Sequence, residues 1–406
     1  ALQGAVPGVT VTRTSSAPGS GNSVLIRGIT TLQGESSPLI LVDNIPVASM
    51  NDVNPENVES ISVLKDGASA AIYGSRAAAG VILITTKRAK ENTFSVEYSG
   101  EVISNVPTEF RKTVDAVRYM EMQNEKQWND NGNDADQFPV WSEDLITNYA
   151  SYHASDPDQY PNTNWRDLVF KKSAPAHRHN LLMVGGADKL KTLAAFGYEY
   201  QGALYNQRSW ERYTGRINND LAVNDKFGAT LNLAFRITDD KQPVLDPTKR
   251  AVESAPIYPA VWQDGRIAEG KTGDNIYARV NYGGTREVAS NLLYGKFELY
   301  IEPIEGLRLS VNLAPNIEFT KLKQFNRAIP YWASDDPNRL EDPFYIGNHN
   351  INQISLNERR IHDFSLTKQA IANYKKRFGD HSLDITLGQE AYSSFSEGLR
   401  VTGIEY

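Results

Sequence analysis

The chain has 406 residues, with 49 acidic against 42 basic side chains, a net charge of −7 and no cysteine. The acidic balance argues against nucleic acid, whose phosphates need a basic face, and the missing cysteines exclude disulfides and thiolate chemistry. No run of about 18 apolar residues exists, which excludes a spanning helix but not spanning strands: a barrel's lipid face uses only alternate residues, so a mean hydropathy of −0.46 is compatible with it.

The chain opens mid-pattern on LQGAVPGVTVT, so the natural N-terminus is expected upstream of Ala1. Residues 1–90 read as a small α/β unit. Gly4, Gly8, Gly19, Gly21, Gly28 and Gly34 punctuate short apolar runs at 8–12, 24–29 and 39–42, which are strand-and-turn signals. Asn54-Pro55-Glu56 reads as a helix start with proline near the first helical position. Two further strands are expected at 61–64 and 81–86. Between them runs KDGASAAIYGSRAAAG, a connection poor in bulk and with no nucleophile beside a base.

From Thr93 the pattern changes to alternation. In KFGATLNLAFRI (226–237), Phe227, Ala229, Leu231, Leu233, Phe235 and Ile237 point one way, while Lys226, Thr230, Asn232 and Arg236 point the other. This period of two runs longer than the usual ~5–6-residue strand of a soluble sheet. Segments 213–223, 293–301 and 307–313 repeat it. Short turns are expected at Asp188-Lys189, Asn224-Asp225, 303–306 and Gly379-Asp380, with longer segments at 105–176, 202–210, 239–289, 320–364 and 394–398. About ten strands joined by short turns on one side and long loops on the other is the pattern of an outer-membrane β-barrel. Tyr198, Tyr200, Tyr205, Trp210, Tyr213, Tyr294 and Tyr300 near strand ends fit an interfacial belt.

Candidate sites outside the strands are few. The loop WNDNGNDADQF (128–138) is rich in oxygen ligands but off the EF-hand register, so a solvated loop is the plainer reading than Ca²⁺. Trp128, Trp141, Trp165, Trp262 and Trp332 lie in the long segments, where rings anchor loops, stack on sugars or meet a partner. His177 and His179 share one strand face, without an acidic residue to complete a metal site. No HExxH, GxSxG or Walker pattern occurs, so nothing supports an enzyme.

VLIRGITTL, PLILVDNIPV and NPENVESISVLKDGASAAIYGSRAAAGVILITTK follow one another across residues 1–90, and NTNWRDLVF occupies 162–170. In their order and spacing these resemble the SusC/RagA-like TonB-dependent outer-membrane transporters. The resemblance implies a plug domain at 1–90 inside a large antiparallel barrel, of which 91–406 is the N-terminal part. It implies import of an oligosaccharide or peptide driven by TonB from the periplasm, with a SusD-like surface lipoprotein as lid and a dimer of transporter–lipoprotein pairs in outer-membrane lipid, and no cofactor. Arg27, Asp43, Lys65, Asp66, Tyr73 and Arg76 are then assigned to plug–barrel contact and gating. The run of glycine and alanine from Gly67 to Gly80 suits a plug that rearranges under a modest pull.

The chain departs from the family pattern in three places. Neither a TonB box nor the small domain that often precedes it is found ahead of the plug, so energy coupling is expected through a segment upstream of Ala1. The family's VDG turn reads Val42-Asp43-Asn44, and asparagine tolerates the positive φ such a turn needs. A plugged barrel needs roughly 22 strands, so about ten imply part of a longer transporter. Two alternatives stay open: a signal-transducing receptor on the same scaffold, and a soluble all-β glycan-binding or adhesion protein.

Overall fold

A computed structural model describes residues 9–13, 15–26, 37–65, 76–109, 111–133, 136–271, 273–332 and 354–404. It has an N-terminal α/β unit, a tall antiparallel wall, and a cluster of short helices on the loop side of that wall.

The N-terminal unit carries two sheets. β1 (Val9–Arg13) pairs antiparallel with β2 (Asn22–Ile26). β3 (Leu39–Val42), β4 (Ile45–Val47), β5 (Val58–Leu64) and β6 (Val81–Thr86) form the second, in the order β4-β3-β6-β5, with β3 parallel to β6. The β3–β4 turn has φ of 49° at Asp43 and 67° at Asn44, the paired left-handed conformation that a two-residue hairpin requires. Two 3-10 turns, Met50–Asp52 and Pro55–Asn57, are capped by Ser49 and Asn54. Asn54 accepts from Glu56 N, with Pro55 at the first position as its fixed φ favours.

The wall is one nine-stranded sheet, β7 to β15 in chain order, with β7 and β15 at its edges. Its strands are β7 (Phe94–Asn105), β8 (Ala174–Gly186), β9 (Leu190–Gly202), β10 (Ser209–Asn224), β11 (Phe227–Pro243), β12 (Gly284–Ile304), β13 (Leu307–Asn326), β14 (Ser355–Phe378) and β15 (His381–Ile404). The expected alternation holds in space. Leu231, Leu233, Phe235 and Ile237 are exposed on the outer face, while Thr230, Asn232 and Ala234 are buried on the inner one. The expected short turns fall where the strands meet on one side.

Three expected loops are shorter than read. β11 runs on to Pro243 and β12 starts at Gly284; β13 reaches Asn326 and β14 starts at Ser355. Residues 394–398, expected as a loop, lie inside β15, whose ladder to β14 is unbroken from His381 to Ile404. The cause is common to all three. Beyond the apolar band the outward residues turn charged, as at Lys321, Lys323, Glu358 and Glu397, which hides the period of two while leaving the backbone pairing intact. At 24 residues, β14 and β15 exceed the ~9–11 that cross a membrane, so they project beyond it.

The long connections hold the helices α1 (Ala116–Asp130), α2 (Glu143–Ser155), α3 (Trp165–Val169), α4 (Pro247–Glu253) and α5 (Ile276–Tyr282). Asp115, Ser142, Asn164, Asp246 and Asn275 cap their N-termini.

Candidate functional site at the contact of unit and wall

The inner face of the wall holds the N-terminal unit through a seam of charged and amide side chains. Even-numbered residues of β10 and β11 point inward, and the seam runs down them.

At its loop-side end, the turn at Pro18-Gly19 is clamped. Gly19 has φ of 71°, and a Cβ there would lie 2.2 Å from the Trp210 ring, so only glycine fits. Gly19 N donates to Gln201 Oε1 at 3.2 Å and Arg208 Nη2 donates to Pro18 O at 2.8 Å. Arg208 also pairs with Asp240.

Lower down, Asp52 pairs with Arg236, which also reaches Glu318 at 3.1 Å and Ser290 Oγ at 3.1 Å. Burial raises the Asp52 carboxyl above its ordinary range, and the Arg236 guanidinium works against that rise. Asn54 Nδ2 donates to Asn180 Oδ1 at 2.7 Å, and Arg212 donates to Asn51 O at 3.2 Å. Tyr294 Oη donates to Asp52 O at 3.3 Å and accepts from Arg216 at 2.8 Å.

Asp43 sits below these. It accepts from Thr86 N at 3.0 Å and Thr86 Oγ1 at 2.7 Å, and it pairs with Arg216 at 3.3 Å. The Asp43 and Arg216 side chains are only 6% and 4% exposed, so removing either leaves a buried charge without its nearer partner; Arg88, 3.9 Å from Asp43, is the second cation at that carboxylate. Asn218 Nδ2 donates to Thr86 Oγ1 at 3.0 Å and to Lys87 O at 3.2 Å, and Arg88 pairs with Asp220 at 2.9 Å. One apolar contact accompanies the seam: Ala234, Leu292 and Tyr294 of the wall join the cluster of Val9, Val24, Ile26, Val42, Val53, Ile82 and Ile84. None of these groups is a nucleophile beside a base. The seam can hold, release and re-form, because each of its polar pairs has an equivalent in water.

Of the residues singled out in the sequence, Asp43 lies at the centre of the seam. Arg76 reaches the far edge of the wall, where it pairs with Glu390 and lies 5.3 Å from the Tyr392 ring of β15. Lys65 follows β5 directly. Arg27, Asp66 and Tyr73 lie outside the described residues, as does the small-residue run from 66 to 75.

The tryptophans divide. Trp165 and Trp262 are 3% and 2% exposed; their indoles donate to Ala255 O at 2.9 Å and Trp332 O at 3.2 Å, so they anchor the loop cluster from within. Trp128, Trp141 and Trp332 are half-buried at its surface. His177 and His179 stand on the outer face in a row of rings with Tyr98, Tyr198, Tyr200 and Tyr213. Tyr98 Oη lies 2.7 Å from His179 Nδ1, and the His177 and Tyr200 rings stack at 5.3 Å. Among the described residues no three His, Asp or Glu side chains gather as a metal site, and residues 134–135 of the 128–138 loop lie outside them.

Of the wall's half of the seam, Arg212, Arg216, Asn218 and Arg236 went unread in the sequence, and Trp210 and Tyr294, expected in an interfacial belt, instead point inward, Trp210 against Gly19 and Tyr294, 2% exposed, against Arg216 and Asp52 O. Each occupies an inward position of a strand whose alternation was recognised, where a polar residue is the rule. The available signal was an arginine on each of two neighbouring inward faces, Arg216 and Arg236, offset by two residues in register and too large and too charged for an idle lumen position.

Comparison with known proteins follows the same division. A family model for the TonB-dependent receptor plug domain matches residues 1–81. TonB-dependent receptor P26 of Formosa agariphila is 26% identical over 408 residues, covering 98% of this chain and 38% of that protein. TonB-dependent receptor SusC of Bacteroides thetaiotaomicron is 28% identical over 227 residues, covering 53% of this chain and 20% of that protein. In fold, the chain is similar to a solved structure of the RagAB peptide importer in a closed-closed state, with a TM-score of 0.76 at 22% identity over 99% of this chain and 46% of that one. The chain thus spans less than half the length of each of these three relatives.

Proposed function

We propose, from the premise that this chain is a SusC/RagA-like TonB-dependent receptor of the outer membrane with its plug at the N-terminus, that it serves in the energised import of an oligosaccharide or peptide. The family is non-enzymatic, and the cargo passes unaltered. The plug closes the lumen, and a pull from TonB on the periplasmic side loosens it. The observation that carries this reading is the seam. A gate must be seated firmly and yet move without unfolding the wall, and ion pairs such as Asp43–Arg216 and Asp52–Arg236 meet both demands. Their strength is lost stepwise as water enters, whereas a dry interlocked core yields only as a whole.

Arg27, Lys65, Asp66, Tyr73 and Arg76 complete the plug's contact set in this reading, beside Asp43. The half-buried Trp128, Trp141 and Trp332 are assigned to cargo or to a SusD-like lipoprotein lid. Their place on the loop side of the wall supports it, since a lid and its cargo arrive from outside. The working unit is a dimer of transporter–lipoprotein pairs.

The test is uptake by cells carrying the full-length transporter, fed labelled oligosaccharides and labelled peptides in parallel. Uptake of one class, abolished by an uncoupler or by loss of TonB, is the expected result. Uptake indifferent to both treatments overturns the reading.

A further inference from the structure

The outward face of the wall changes character from β13 to β14. On β11, β12 and β13 the outward positions from Phe227 to Ile237, Leu293 to Ile301 and Leu309 to Phe319 hold only apolar side chains and Gly295. On β14 and β15 three polar groups interrupt that band. Cross-strand pairing puts Leu231, Phe297, Leu313, Lys368 and Ala391 in one outward row, so an exposed lysine stands among lipid-facing leucine and phenylalanine. Gln389 and Ser393 flank Ala391 on β15. Among the described residues, no side chain or carbonyl bonds to the Lys368 ammonium, and the Gln389 and Ser393 side chains have no partner either.

The depth of Lys368 is what makes it costly. The outward apolar run of β14 ends at Phe364 and Tyr374. At a rise of ~3.3 Å per residue and a tilt of about 40°, these lie roughly 10 Å above and 15 Å below Lys368. A lysine stem extends about 6 Å, so the ammonium cannot snorkel to either boundary. Hydrocarbon offers it no acceptor, and the centre of the band is the worst place for a charge. Beside the lysine the wall is low. Ala370 and Ala372 of β14 lie between Val311 and Leu309 of β13 and Gln389 and Leu387 of β15. These small side chains leave a groove of about 650 Å³. An acyl chain would fill the groove without serving Lys368.

We propose that this face of β14 and β15 is where two copies of the transporter meet inside the membrane, with Lys368 of each donating to Gln389 of the other. This rests on the dimer of the proposed function and assigns its contact face. The face is complementary to itself. Gln389 stands at the centre of the outward run of β15, from Leu383 to Phe395, as Lys368 does on β14, so donor and acceptor share a depth. A two-fold axis along the membrane normal preserves depth, and it brings each lysine to the other copy's glutamine reciprocally. The same operation sets Leu387, the next outward residue below Gln389, over the Ala370 groove of the other copy. The small residues let the two backbones approach closely, as contacts within lipid require. A different protein would have to carry its own acceptor to this depth, whereas a second copy already presents one.

The test is disulfide cross-linking of the full-length transporter in intact outer membranes, with the unaltered protein as blank. Residues 1–406 hold no cysteine, so a thiol introduced among them reports one place. Ala391→Cys, beside both Lys368 and Gln389, is expected to give a species of twice the mass. Leu233→Cys, on the apolar face of β11, is expected to give none. In native mass spectrometry of the purified protein, Lys368→Met and Gln389→Leu are each expected to raise the dissociation constant of the dimer about tenfold, the scale of a polar bond in lipid. Both changes make the lipid face more apolar, so neither works against folding of the barrel. A dimer that Lys368→Met leaves intact overturns the proposal. So does Ala391→Cys that links no copies, or links a different protein, and so does equal linking through Leu233→Cys. None of these readouts involves uptake or TonB. An importer whose copies meet elsewhere fails here and passes the uptake test, and a protein that pairs through this face without importing does the reverse.

Discussion

The plug and the loop cluster both rest against the same wall, and they are held by opposite chemistry. The loop cluster is built like a small soluble core. Trp165, Val169, Ala251, Ala260, Ile276 and Val280 pack together, and Ala116, Met120, Ile146 and Tyr149 form a second group beneath α1 and α2. Burial pushes the Tyr149 phenol up to about 12, and its hydroxyl donates to Pro161 O at 2.9 Å, as a dry site demands. The plug has its own apolar core, yet it meets the wall mainly through arginines, carboxylates and amides. Hydrophobic packing resists separation until the whole contact opens. A polar seam can be taken apart one pair at a time, each replaced by water. On the proposed gating, the loop cluster, which stays, suits the first, and the plug, which is released, suits the second.

The largest expected effect tests the fixed half of this contrast. Trp165→Ala removes the biggest ring of the loop core and the indole bond to Ala255 O, at a cost of about 3–5 kcal/mol. Limited proteolysis of the full-length transporter is then expected to cut between residues 106 and 173 and between 244 and 283 well before the unaltered protein is cut. Passive leakage through the lumen stays unchanged, because no seam residue is touched. A leak without new cleavage would show that the cluster braces the plug as well as itself.

Next comes the releasable half. Arg216→Met leaves Asp43 in a buried site with Thr86 as its hydrogen-bond donor and Arg88, 3.9 Å away, as its remaining cation among the described residues, and breaking such a pair costs about 3 kcal/mol. Leakage of a small solute in a liposome-swelling assay is expected to rise, with the loop cluster's protease resistance intact. Adding Asp43→Asn recovers part of the loss, because the unpaired charge goes. If Arg216→Met leaves leakage unchanged, the apolar contact at Leu292 and Tyr294 holds the plug, and the contrast between the two regions fails.

The sequence revealed these two regions unequally. The alternation from Phe227 to Ile237 disclosed the wall because period two is a local property of one strand. The hairpin at Asp43-Asn44 was legible for the same reason: the turn residues themselves carry the backbone requirement. The seam was not. Asp43 and Arg216 are 173 residues apart, and Asp52 and Arg236 are 184 apart, so which inward arginine meets which plug carboxylate is set by how the unit sits in the wall. The strand ends were misread at Lys321 and Glu358 because a charged outward row, set by the membrane boundary, breaks the hydrophobic pattern without breaking the ladder. The buried Trp165 and the surface Trp128 likewise share a residue type and a loop context, and only packing separates their roles.

The smallest expected effect concerns pH and sharpens the contrast at a single carboxyl. Burial raises Asp52 above its unfolded value of 3.8, so the seated plug binds this proton more tightly than a released one does. The sign follows from linkage. The stabilisation is fully present below the unfolded value and is lost as pH rises through the raised one, so seating weakens from acid toward neutral pH on account of this group. Arg236 limits the effect by favouring the charged form. Hydrogen exchange of the plug amides around residues 49–54, followed from acid to neutral pH and corrected for intrinsic exchange, is expected to show protection falling in the unaltered protein. In Asp52→Asn that slope is expected to flatten, with Arg236 still held by Glu318 and Ser290. Tyr149 in the loop cluster, pushed up to about 12, stays neutral throughout this range, so amides of α2 provide the internal control. A slope that persists in Asp52→Asn would assign the titration to another group of the seam. A slope shared by the α2 amides would mean that the two regions open together, and that the wall does not keep their chemistry apart.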